Sequence, residues 1–71
     1  MPLMIAPTGM DLSIKRVSGD EKVRRHLEAL GLVPDQKIQI LSFTKDGLIV
    51  LVNQSRLGLD RDVAKNIFVE A

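Results

Sequence analysis

His26 is the only imidazole in this 71-residue chain and there is no cysteine, so a metal centre would have to be assembled from one histidine and scattered carboxylates. The one local acidic pair, Asp60 and Asp62 around Arg61, lacks the ligand number and the glycine of a calcium loop. It reads as a helix cap and a solvated neighbour. A serine nucleophile would need His26 as its base, yet Ser13, Ser18, Ser42 and Ser55 all stand outside a G-x-S-x-G elbow. "SGDEK" has neither the P-loop spacing nor a dinucleotide-binding spacing. These residues predict no enzyme, no cofactor and only weak metal affinity. His26 itself follows Val23 by three and precedes Leu30 by four. That places it at the rim of an apolar helical stripe, where it either packs beside the stripe or forms a pH-sensitive contact with a partner.

The densest basic stretch is Lys22, Arg24, Arg25 and His26, interleaved with Asp20, Glu21 and Glu28. It is either a solvated helix face or the charged rim of a protein interface, and Arg24, Arg25 and His26 are the candidate partner-binding residues. Ten Lys and Arg against nine Asp and Glu leave a formal charge of +1, well short of a phosphate-binding surface. With no Trp or Tyr and only Phe43 and Phe68, there is no platform for stacking single-stranded bases. Nucleic acid is therefore not the expected partner. The longest apolar run, "LIVLV" from Leu48 to Val52, is far below the ~20 residues of a membrane-spanning helix. "MPLMIA" is too short for a signal peptide and lacks a basic leader. A soluble cytosolic protein without direct membrane insertion is expected.

The elements that must position these residues can be read from periodicity. "DLSIKRV", Asp11 to Val17, begins as an alternating strand and slips phase between Arg16 and Val17, which suggests a bulge or the end of pairing. Ser18 and Glu21 have capping-box spacing, and Val23, Leu27 and Leu30 form one stripe, predicting a helix from about Gly19 to Leu30. Glu21 and Arg25 stand four apart on its charged face. Gly31 then suits a left-handed position just past the helix end, with Leu32 returning onto Leu27 in a Schellman pattern. Pro34 blocks further helix, and "VPDQ" is a turn with proline at its second position.

Strands follow. "KIQILSF" alternates and then shifts phase, "DG" at Asp46 and Gly47 is the strongest hairpin signal, and "LIVLV" is a fully apolar strand. "NQ" at Asn53 and Gln54 is a weaker turn. "SRLGL" returns with Leu57 and Leu59 inward, and Gly58 between them marks a bend or a close backbone approach. The segments "LGLVPD" and "LGLDRD" are thus not repeats, because one ends a helix and the other lies in a strand. "DRDVAKN" predicts a short helical turn capped by Asp60 with Val63 and Ala64 inward, and "IFVEA" a last strand. The total is mainly β with one α-helix and about five strands in a single domain over residues 1–71, which suits a small barrel more than an open sheet.

In "RRHLEALGLVPDQKIQIL", Arg24, Leu27, Leu30, Gly31, Leu32 and Pro34 match the pattern R-x-x-L-x-x-L-G-L-x-P-G, and the chain here resembles the ferrous iron transport protein A (FeoA) family. The likeness continues through "DGLIVLVNQSRLGLDRDVAKNIFVEA", including Gly58 in its R-L-G-L segment, and more loosely through "APTGMDLSIKRVSGD". Asp35 departs from the family's glycine, leaving a type I or a type II turn open, and Asn53 with Gln54 replaces a glycine-containing turn. The resemblance implies an SH3-like barrel and a cytosolic accessory of ferrous uptake with no catalytic residues. It implies a FeoB-type membrane GTPase iron transporter as partner. The alternative it raises is a domain related to the C-terminal module of iron-dependent repressors. An isolated DNA-binding barrel is opposed by the charge balance, and self-association as a homo-oligomer is left open.

Overall fold

The computed structural model describes residues 1–71. Five strands, β1 (Leu12–Val17), β2 (Lys37–Phe43), β3 (Gly47–Val52), β4 (Ser55–Asp60) and β5 (Ile67–Glu70), form one antiparallel sheet in the order β4-β3-β2-β1-β5. Helix α1 (Glu21–Ala29) joins β1 to β2, and the single turn α2 (Arg61–Ala64) joins β4 to β5. The sheet curls because β1 pairs with β2 only at Leu12–Ile38 and Ser13–Lys37, then diverges to pair with β5. Bulges at Lys15 and Leu41 strengthen the bend, since an unpaired extra residue increases local twist. The bulge in β1 lies between Ile14 and Arg16, earlier than the phase slip suggests. Arg16 pairs with Phe68, its guanidinium 4.2 Å from the ring centroid, which leaves Lys15 as the extra residue.

Inside the curl, Leu12, Ile14, Ile38, Ile40, Leu48, Val50, Ile67 and Val69 alternate inward from four strands, and Leu27, Leu32 and Ala64 close the ends. No polar or charged residue is buried, so hydrophobic burial alone holds this core together. β3 is apolar throughout but not buried on both sides: Ile49 and Leu51 stand half-buried on the outer face. Leu3, the first residue of a 3-10 turn over Leu3–Ile5, and Ala6, its C-cap, are also core residues. Their segment lies along β5, where Val69 N–H donates to Met1 O at 2.7 Å and Pro2 bridges Phe68.

Local chemistry departs from expectation at four places. Helix α1 starts later than Gly19, and its cap is Asp20, whose Oδ1 accepts from Val23 N–H at 2.9 Å. Gly19, at φ +110°, turns the chain first, and Ser18 Oγ is engaged with Asn66 at 3.3 Å, so the Ser18–Glu21 capping box does not form. The β2–β3 connection is not a two-residue Asp-Gly turn. Phe43 pairs with Leu48, and Thr44 N–H donates to Gly47 O at 2.8 Å across a longer loop. Gly47 already belongs to β3 and has no positive φ. A Cβ there would collide with the Leu59 carbonyl oxygen and stand 2.8 Å from Asp60 Cα.

Gly58 does the opposite of what its position in a strand suggests. The β3–β4 register runs unbroken past it, and a Cβ would meet nothing within 4 Å. The close approach belongs to Gly47. The tight two-residue turn belongs to Asn53 and Gln54, at φ +51° and +65°, flanked by the pair Val52–Ser55. Asp35, at φ +72° behind Pro34, completes a type II turn closed by Gln36 N–H to Val33 O at 3.1 Å. β1 clamps it: Asp35 N–H donates to Ile14 O at 2.7 Å, and Ile14 N–H to Gln36 O at 2.9 Å.

Two predictions follow from this backbone. Gly47→Ala should lower unfolding free energy by about 3 kcal/mol because backbone must move, and Gly31→Ala by about 1 kcal/mol for its left-handed residue, while Gly58→Ala should raise it by about 0.5 kcal/mol. Urea midpoints of the three variants check that order. Gln54→Gly should raise the melting temperature by several degrees and Asp35→Gly by less, since the short side chain of aspartate tolerates positive φ better than that of glutamine does. Differential scanning calorimetry of both variants reads the ordering directly.

Candidate functional site

Helix α1 is short because its two ends are held by specific bonds. Asp20 satisfies the first turn, and at the far end Gly31 (φ +86°) lets the chain double back. Leu32 N–H donates to Leu27 O and Gly31 N–H to Glu28 O, both at 2.9 Å. These are the two bonds of a Schellman motif, and Leu27 and Leu32 pack together as core residues beneath it. Asn53, from the β3–β4 turn, lies against Gly31, where its Nδ2 would stand 2.9 Å from an added Cβ.

This cap decides which helix residues face out. Val23, Leu27 and Leu30 turn toward the core, and Arg24, Arg25 and His26 are all exposed. The three do not converge. At ~100° per residue, Arg24 and His26 lie on opposite flanks of the apolar stripe and Arg25 points away from it. Arg25 Nη2 pairs with Glu21 Oε1 at 2.8 Å, but the two side chains are 76% and 66% exposed, so this is a solvated surface pair of small energetic value. His26 forms no side-chain hydrogen bond or ion pair.

Arg24 alone borders a recess. With Glu28 it flanks a depression floored by Val17, Leu32, Val33 and Pro34, between α1, the end of β1 and the type II turn. Its volume of about 70 Å³ is far below the ~300 Å³ at which small-molecule pockets begin, so it fits one inserted side chain and not a metabolite. Arg24 makes no ion pair within the fold, and its charge is free for a partner. The sequence signals for this recess were present but separate: Arg24 and Glu28 four apart on the helix, and apolar Val33 and Pro34 immediately after a helix cap.

A second, more open hollow of about 250 Å³ lies on the outside of β2 and β3, lined mostly by polar residues such as Gln36, Gln39, Asn53 and Gln54. No group of three or more His, Asp or Glu side chains stands together in a way that could hold a metal ion. Ser18 hydrogen-bonds Asn66. Asp60 caps α2 through Val63 N–H at 2.8 Å, and Asp62 pairs with Lys65 at 4.0 Å, matching their reading as a cap and a solvated carboxylate. No helix is long and apolar enough to cross a membrane. The arrangement is a small, partly apolar recess with the cation Arg24 and the anion Glu28 at its rim.

Comparison with known proteins gives a consistent answer. A family model described as FeoA domain matches residues 1–71. Among solved structures, the FeoA protein from Chlorobium tepidum is 32% identical, with a TM-score of 0.85 over 97% of this chain and 68% of its own. A Stenotrophomonas maltophilia FeoA complexed with zinc, described as a prokaryotic SH3 domain protein, superposes with a TM-score of 0.81 at 22% identity, covering 99% of this chain and 89% of its own. T. acidophilum IdeR is 26% identical with a TM-score of 0.85, but the 97% of this chain that aligns corresponds to only 32% of that longer chain. No curated protein matches. The curled five-stranded sheet is therefore SH3-like, and with the family model matched from its first residue to its last, the chain belongs to the FeoA domain family.

Proposed function

We propose that residues 1–71 act as one non-catalytic accessory unit of ferrous iron uptake, docking on the cytoplasmic side of a FeoB-type membrane GTPase transporter. Membership of the FeoA family supports the process, and the recess beside Arg24 supports the mode of action. It is a concave, partly apolar feature with Arg24 unpaired at its rim, and partners are steered and oriented by such rim charges. A side chain from the transporter enters between Leu32 and Pro34, and Arg24 meets a carboxylate beside it. Arg25, next to Arg24 on the exposed helix, adds positive charge beside the contact, and His26 lies on the far flank. Any effect on the transporter's GTP chemistry is exerted through this contact.

The likeness to IdeR favours a second reading, in which the same module serves inside a repressor. The FeoA domain model, which matches residues 1–71, favours the uptake accessory over this reading.

Two measurements test it. Arg24→Glu with Arg25→Glu should reduce ferrous uptake in cells several-fold while the purified variant melts within about 0.5 kcal/mol of the wild type, because both side chains are exposed. His26→Ala should have a smaller effect, since His26 lies on the far flank from the recess. Wild-type uptake by the double variant would return the helix to a purely solvating role. Separately, calorimetry of the isolated chain with ferrous or zinc ions should find only weak binding, on the scale of scattered carboxylates and one imidazole. A stoichiometric site of sub-micromolar affinity would contradict a protein-docking accessory without a metal of its own.

A further inference from the structure

The two edges of the sheet are treated differently. The β5 edge is covered by the N-terminal segment, through Met1 and Pro2. No strand pairs with the outer edge of β4. It runs for six residues without a bulge, in continuous register from Gly47–Asp60 to Val52–Ser55, and contains no proline, so its only guards against edge pairing are the charges of Arg56 and Asp60.

The turn determines which groups that edge presents. Asn53 and Gln54 form a two-residue loop with both φ positive, so the flanking pair Val52–Ser55 is a hydrogen-bonded one. By alternation Leu57 and Leu59 also bond to β3, and the N–H and C=O groups of Arg56 and Gly58 point away from the sheet. No turn, loop or side-chain hydrogen bond uses them. Arg56 is exposed and without an ion pair, and Gly58, next on the same face, leaves open space beside half-buried Ile49.

We propose that this edge pairs antiparallel with the β4 edge of a second copy, across a two-fold axis at Leu57. In that register Arg56 of each copy faces Gly58 of the other, and each such pair exchanges two backbone hydrogen bonds. The aliphatic stem of Arg56 lies across the bare glycine toward Ile49, filling space that no residue of the same copy fills. The two Leu57 residues meet in a close non-hydrogen-bonded pair, covering the half-exposed side of each. The diagonal neighbours of Arg56 are Asp60 and Arg56 of the second copy, so the net charge term is near zero and backbone pairing carries the contact. The strand edge buries less than the ~1,200 Å² of stable complexes, so the dimer is weak, with a dissociation constant on the order of 10–100 μM.

Sedimentation of the whole chain over a concentration series, with amide hydrogen exchange by NMR on the same samples, tests this pairing. A concentration-dependent dimer is expected, with protection appearing at the amides of Arg56 and Gly58. Arg56→Glu, which sets two like charges on both diagonals, should weaken it about ten-fold or more, and Arg56→Pro, which removes an outward donor, should abolish it. If Arg56→Pro fails to fold, Arg56→Glu, a purely surface change, decides the matter. A wild-type chain that stays monomeric to ~1 mM, or a dimer in which Arg56 and Gly58 exchange at the monomer rate, would overturn the proposal.

Discussion

The bond from Leu32 N–H back to Leu27 O is the constraint on which the rest of the structure hangs. It reverses the chain at the end of α1, and only a residue that accepts a left-handed backbone cheaply, here Gly31, allows it. Because of it, Leu27 and Leu32 are buried side by side, the helix presents Arg24 and Glu28 beside Pro34, and β2 begins where β1 can clamp the Asp35 turn through Ile14. Helix orientation, recess and barrel closure therefore share one local cause. The contact of Asn53 with Gly31 adds a tertiary brace from the β3–β4 turn.

Most of the architecture was legible in residue order: the helical stripe, the glycine cap, the phase shift in β2, the short turn capped by Asp60 and the closing strand. What was misread has a common physical origin. A glycine in a β sequence can serve a turn, a close approach or nothing, and only the cross-strand neighbour distinguishes them. Gly47 faces the backbone at Leu59 and Asp60, whereas Gly58 faces open space, and neither fact is local in sequence. Likewise Asp20 displaced Ser18 as helix cap because Gly19 turns the chain between them and Asn66, far along the chain, occupies the serine. The tight turn at Asn53 and Gln54 is held by six residues of strand pairing, which outweighs a poor turn propensity at Gln54.

The candidate site was legible in part. The sequence grouped Arg24, Arg25 and His26 by adjacency, but a helix separates adjacent residues by ~100°, so adjacency is the wrong criterion for a shared surface. The recess joins Arg24 to Val17 and Pro34, residues from three elements whose meeting depends on the Gly31 reversal. The proposed mode of action therefore rests on the shape of this recess and the charge of Arg24 at its rim. That is consistent with an SH3-like module that works by contact.

The most direct test is to titrate the isotopically labelled chain with the cytoplasmic GTP-binding portion of a FeoB-type transporter and map the NMR shift changes. The account predicts that the largest changes fall on Val17, Arg24, Glu28, Leu32 and Val33 around the recess, and that Arg24→Glu removes them. Binding that leaves these residues unmoved and perturbs the outer face of β2 and β3 instead would contradict it.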